Sequence, residues 1–275
     1  MPWRVLTGYR PSQSRQVAST SSTTALYHPQ RNFTNVQKTM DPTIARLINA
    51  NSHYVAECFP TNACWPLTVE SLAESVVTAS KPGDIFVHRN IANQFRLDDD
   101  NAVSALTYAI DQLGVEHGAF FLPLVVVGHT QCGGATTCYN AALEAAASQE
   151  GHTGLPSPES QVQTISSLPL TVTPAPDTPL GRWLAPLTAM ATELGAGTAE
   201  HEHDHRSALT MLVQANIEKQ VENLCLADSV RNVWEGRVAD RKVWVHGLLY
   251  EVESGMLRDL GVTRGPPHEK TVEGV

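Results

Sequence analysis

His129 and Cys132 are the residues of this chain whose types and spacing point to chemistry. They sit in Val125-Val126-Val127-Gly128-His129-Thr130-Gln131-Cys132-Gly133-Gly134, where an apolar β-branched run ends in Gly, then His, then Cys three residues on. An imidazole nitrogen beside a thiolate sulfur suits Zn2+, and the flanking glycines let backbone come close to whatever the metal holds. A catalytic zinc keeps three protein ligands and one open position. A single His-x-x-Cys pair therefore also reads as a buried thiol beside a hydrogen-bonded histidine at a strand end.

Positioning such a pair requires a strand that ends at the site and helices that cover it. Val125 to Val127 do not alternate with polar residues, so they read as a strand buried on both faces. Ile85 to Val87 read as a second strand, entered from the turn Lys81-Pro82-Gly83-Asp84. Between them, Asp98 to Asp100 place negative charge at the start of a helix running to about Leu113. A further helix follows Gly134 and stops before Gly151. This alternation of strand and helix predicts an α/β fold, with a mostly parallel central sheet flanked by helices.

The remaining elements follow from periodicity. Asp41 as N-cap and Pro42 at the first helical position open a short N-terminal helix to Ala50. Tyr54 to Cys58 reads as a strand, and Leu67 to Ala79 has helical spacing. Residues 151–179, rich in Pro, Ser and Thr, read as a surface insertion. Leu180 to Leu194 is predicted helical, as is the stretch from an N-cap at Ser207 to Leu224. His201-Glu202-His203-Asp204-His205 reads as a solvated loop rather than a metal site, because alternating residues cannot all face one ion. Lys242 to Val252 is expected to be the last strand, with a short packed segment around Leu257 and Leu260 after it.

The chain has 275 residues, 42% of them hydrophobic, which suffices for a sizeable core. A net charge of −9 argues against nucleic acid as a partner, since a phosphate-binding protein needs a basic face. No apolar run approaches the length of a membrane span. Five cysteines, an odd number spread along the chain, suit a reducing compartment. Residues 1–40 lack Asp and Glu and are rich in Arg, Ser and Thr. They read either as a mitochondrial transit peptide or as a disordered tail on a cytoplasmic protein, with Met40 available as an internal start. Residues 41–275 then form one domain.

Taken together the pieces resemble the β-class carbonic anhydrases. The likeness rests on Lys81 to Asn93, Val125 to Gly134, Asp177-Thr178-Pro179-Leu180, Asn216 to Asn223, and Val245-His246-Gly247 through Leu260-Gly261-Val262. The resemblance implies zinc as cofactor and the reversible hydration of carbon dioxide to bicarbonate and a proton. It also implies a homodimer or homotetramer. A CS2 or COS hydrolase on the same fold is the alternative enzyme.

The same family carries its first zinc Cys in a Cys-x-Asp-x-Arg strand, and those three slots fall here on Leu67, Val69 and Ser71. None of them binds zinc or forms the Asp–Arg pair. His129 and Cys132 then need a third ligand from elsewhere: Cys64 is the nearest candidate and Cys58 the next. The other reading is a catalytically inactive subunit with an incomplete zinc site. A splice boundary upstream of Ala73 other than the one translated here would also remove the motif.

Overall fold

The computed structural model describes residues 3–6, 41–58, 77–81, 83–113, 121–149, 173–196, 205–238 and 241–266. The described strands are β1 (Trp3–Leu6), β2 (Ile85–Val87), β3 (Phe121–His129), β4 (Lys242–Glu251) and β5 (Met256–Arg264). They form one sheet in the order β2-β1-β3-β4-β5. β3 and β4 are parallel, with Phe121 opposite Lys242 and His129 opposite Tyr250. β1 runs antiparallel to both β2 and β3, and β5 antiparallel to β4. Strands β2, β3 and β4 therefore share one direction, as the alternating pattern predicts. β1 lies inside residues 1–40 and is interior to the sheet.

The α-helices among the described residues are α1 (Pro42–Cys58), α2 (Asp100–Tyr108, prolonged by a π-helical turn Ala109–Leu113), α3 (Gly133–Gln149), α4 (Pro179–Glu193), α5 (His205–Leu226) and α6 (Asp228–Trp234). Three of their starts are chemically marked. Asp41 Oδ1 accepts from the N–H groups of Thr43 and Ile44 at 2.8 and 3.3 Å, and Asp99 accepts from Asn101 N–H. Thr178 accepts from Gly181 N–H at the head of α4. Each cap satisfies backbone donors that the helix itself cannot.

The sheet divides two apolar layers. Leu122, Leu124 and Val126 of β3 and Val243, Val245 and Leu249 of β4 pack with the larger layer, which includes Leu106 of α2, Leu187 of α4 and Ile217 of α5. Val125 and Val127 with Leu248 and Tyr250 face the other way, onto Ile44 and Leu47 of α1. Val125, Val126 and Val127 are all buried, so the uninterrupted apolar run means what it implied: a strand covered on both sides.

Three expectations change. Tyr54 to Cys58 is the end of α1, not a strand. Asn51 sits fully buried in that helix, and its side-chain amide donates to the carbonyls of Val77 and Gly255 at 2.9 Å and accepts from Leu257 N–H at 2.7 Å. These bonds dock the helix and outweigh the weak helix preference of the β-branched and aromatic residues that follow. β4 is not the last strand: the segment around Leu257 and Leu260 is β5, an antiparallel edge. His205 is the first residue of α5, which begins before Ser207. Its ring meets Tyr139 edge-on at 6.0 Å, and this packing takes it out of the expected loop. Residues 201–204 and 67–76 lie outside the described residues.

Candidate metal centre

His129 is the C-terminal residue of β3. Strand alternation puts it on the same face as Val125 and Val127, the face covered by α1. It is 6% exposed, and its Nδ1 lies 2.7 Å from the carbonyl oxygen of Thr130. A carbonyl only accepts, so Nδ1 carries the proton and Nε2 keeps its lone pair. Burial is the main cause that pushes the imidazolium down to about 3, with the Arg89 charge adding and the Thr130 carbonyl opposing. The ring is neutral at physiological pH, the form that binds a metal.

Thr130, Gln131 and Cys132 make the turn from β3 to α3. Thr130 N–H donates to Tyr250 O at 3.0 Å, and Thr130 Oγ1 accepts from Val252 N–H at 2.9 Å. The same hydroxyl donates to Glu253 Oε2 at 2.6 Å, and Gln131 Nε2 donates to Glu253 Oε1 at 2.7 Å. Gln131 has a φ of 56°, which residues other than glycine seldom adopt. Cys132 follows, 7% exposed, its carbonyl accepting from the N–H and Oγ1 of Thr136 at 2.9 and 3.0 Å. α3 begins at the next residue, so the turn ends against the free N–H groups of a helix start.

The far wall of the turn is the short 3-10 segment Ile91–Asn93. A Cβ on Gly134 would stand 2.8 Å from Ala92 Cβ, so glycine is needed there for close approach. Ala92 and Asn93 have φ of 60° and 51°. A polar strip on α5 holds this strained segment. Asn216 Nδ2 donates to Ala92 O at 2.8 Å, Gln220 Oε1 accepts from Phe95 N–H at 2.8 Å, and Asn223 Nδ2 donates to Phe95 O at 2.9 Å. Amides at i, i+4 and i+7 beside the apolar stripe of a helix were the available signal in the sequence.

His129 and Cys132 stand at the two ends of one turn, with His129 on the α1 face of the sheet and Cys132 packed with the larger apolar layer. Among the described residues no group of three or more His, Cys, Asp and Glu could hold a metal ion. Cys64 and the slots Leu67, Val69 and Ser71 lie outside the described residues. Cys58 closes α1, with its side chain outside them as well. The two described donors fit zinc: a buried neutral imidazole whose Nε2 keeps its lone pair, and a buried thiol three residues on. Sequence reasoning did not find Glu253, and it marked Asn216 to Asn223 only as part of the likeness, with no role for their amides.

A mixed sheet that ends one parallel strand in a His-x-x-Cys turn, with helices on both faces, defines an α/β protein. The family profile described as "Carbonic anhydrase" matches residues 72–158 and 161–257. The chain belongs to the β-carbonic anhydrase family. A carbonic anhydrase of Candida albicans is 40% identical over 70 residues, covering 26% of this chain and 23% of that protein. One from Emericella nidulans is 44% identical over 52 residues, 19% of this chain and 20% of that protein. The matched stretch thus spans less than a quarter of the length of these curated relatives. Among solved structures, a tetrameric β-carbonic anhydrase of Sordaria macrospora aligns with 23% identity over 82% of this chain and 100% of its own, at a TM-score of 0.47. The Aspergillus fumigatus enzyme CafA aligns with 24% identity over 80% of this chain and 91% of its own, also at 0.47.

Proposed function

We propose that this chain binds zinc and catalyses the reversible hydration of carbon dioxide to bicarbonate and a proton. The observation that carries the reading is the presentation of His129: buried, neutral, tied through Nδ1 to Thr130 O, three residues before buried Cys132. Membership of the family supports the same activity. The third ligand is a thiolate, Cys64 foremost and Cys58 in its place.

Zinc, when bound, supplies a Lewis acid that lowers the pKa of water towards about 7. The chain does the rest. His129 contributes a neutral nitrogen whose proton stays on Nδ1, so it holds its donor geometry through turnover. Cys132 would hold the metal through its sulfur as a thiolate, and two thiolates with one imidazole would give the metal more negative charge than three imidazoles. The helix start at Gly133 and Gly134 offers backbone N–H groups to an anionic product.

A second reading, a subunit that keeps the fold without turnover, is favoured by the register of the resemblance, which sets Leu67, Val69 and Ser71 in the slots where the family has Cys, Asp and Arg. Zinc content separates the two. One zinc per chain in the purified protein, lost on Cys64→Ser or on Cys58→Ser, is the expected result, together with stopped-flow CO2 hydration. A protein without zinc refutes the enzyme.

Assembly into a homodimer or homotetramer is part of the proposal. Ile91, Leu97 and Tyr108, large apolar side chains that remain exposed on a single chain, support it. Among the described residues no helix is long and apolar enough to cross a membrane. A mitochondrial location, with the cytoplasm as alternative, rests on the composition of residues 1–40.

A further inference from the structure

We propose that Glu253 is a positioning residue for the metal centre, fixing the orientation of the His129 ring through the backbone of Thr130. The inference rests on the zinc reading above and extends it to a residue on the turn between β4 and β5.

Two residues separate the candidate ligands, and both donate to one carboxylate. Thr130 Oγ1 reaches Glu253 Oε2 at 2.6 Å and Gln131 Nε2 reaches Glu253 Oε1 at 2.7 Å. Each oxygen takes one donor, an arrangement that a single amide or hydroxyl in its place could not reproduce. Arg206 at the start of α5 lies 3.7 Å from Oε1. Burial pushes the Glu253 carboxyl up, but the two side-chain donors, its own backbone N–H and Arg206 outweigh it and hold the group below its usual range. The carboxylate is charged, and its bonds to Thr130 and Gln131 are of the stronger, charge-assisted kind.

These bonds matter because of what Thr130 does next. Its hydroxyl also accepts from Val252 N–H, and its own N–H donates to Tyr250 O, so the residue is anchored at three points to the end of β4 and the turn after it. Its carbonyl is the acceptor for His129 Nδ1 at 2.7 Å. The plane of that peptide therefore sets the tautomer of His129 and aims Nε2. The Gln131 anchor does the parallel task for Cys132, holding the left-handed turn that places the thiol. Partners of this kind, one step behind a metal ligand, commonly change metal affinity by about 10–100-fold.

The bland alternative is that Glu253 only staples the β4–β5 turn. Three variants distinguish the two: Glu253→Ala, the isosteric Thr130→Val, and the double variant. The first readout needs no metal: nitrogen NMR of the His129 ring in the metal-free protein. The Nδ1-protonated form is expected in the parent, and a mixture of tautomers in both single variants. The second readout is Co2+ affinity, followed by the thiolate-to-cobalt absorption band. A loss of about 10–100-fold is expected in each single variant. The double variant is expected to lose no more than the worse single, since both changes cut the same path. An unchanged tautomer in folded Thr130→Val and Glu253→Ala overturns the proposal, whatever the thermal melts do. Additive losses of affinity overturn it as well. A parent that binds no Co2+ refutes the zinc reading alone, and the tautomer result still decides the role of Glu253.

Discussion

Two thiols other than the candidate ligands carry a clear pH signature. Burial pushes Cys138 up to about 11 and Cys225 up to about 12, from an ordinary value of 9.0. Cys138 lies in the large apolar layer, with Leu184 O 3.6 Å from its sulfur. Because both folded values are raised, the unfolded chain gives up these protons first as pH rises. Their contribution is complete below pH 9.0 and declines towards the folded values. The decline reaches up to about 1.4 kcal/mol per pH unit for each thiol. Denaturant unfolding at about pH 8 and about pH 10 should show a shallower alkaline loss in Cys138→Ala than in the parent. Equal slopes would mean that Cys138 is not shielded. His129 and Cys132 were legible in the sequence because ligand spacing within one turn is local information. Glu253 was not, since it meets Thr130 across 123 positions and Gln131 across 122, and neither polar type marks its partner.

At the scale of elements, α5 lies almost in contact with the backbone of β3 and β4. A Cβ on Gly128 would fall 2.8 Å from both Cγ1 and Cδ1 of Ile217, and one on Gly247 would fall 2.9 Å from Ile217 Cγ2. One isoleucine thus fills the space above both glycines. Gly128→Ala should destabilise by about 1–3 kcal/mol through overpacking, read as a lower denaturation midpoint at unchanged slope. Ile217→Val removes Cδ1, so the double variant should be less destabilised than the sum of the two singles. Simple additivity would show that α5 moves away from the sheet instead. The apolar stripe Val213, Ile217, Val221 and Leu224 made this helix legible at 3.6-residue periodicity, and all four are buried. The extended ends of β3 and α1 were less so. The apolar run marks the strand only over Val125 to Val127, yet it starts at Phe121; Pro123 is tolerated within it, where β1 pairs only from Leu124 onward. Tyr54 to Cys58 carries no helical stripe, and the buried amide of Asn51 that anchors its helix is a tertiary feature.

For the whole molecule the decisive feature is where the sheet takes its second strand. β1 pairs with β2 through Arg4–Val87, Val5–Phe86 and Leu6–Ile85, and with β3 through Trp3–Val126, Arg4–Val125 and Val5–Leu124. Four residues thus bridge two strands that are otherwise not neighbours. A strand so short has no periodicity to read, and its partners lie far along the chain, so composition alone marked the segment as an extension. The two descriptions make opposite demands. A transit peptide is dispensable once removed, whereas an interior strand, hydrogen-bonded on both edges, is not. Removing residues 1–40 would leave the facing edges of β2 and β3 with unpaired N–H and C=O groups, which invite misassembly. The 41–275 chain should therefore melt at a lower temperature and less cooperatively than the full chain by far-UV circular dichroism. His129 stands at the end of β3, just past Val126, the last residue paired to β1. The adjacent Val125 and Val126 amides point to opposite edges of β3, so loss of β1 should also raise amide exchange at the one that faces β1, measured by hydrogen–deuterium exchange. An equal melting curve for 41–275, with that amide still protected, would mean that another segment closes the gap between β2 and β3, and residues 1–40 would then be free to act as a leader.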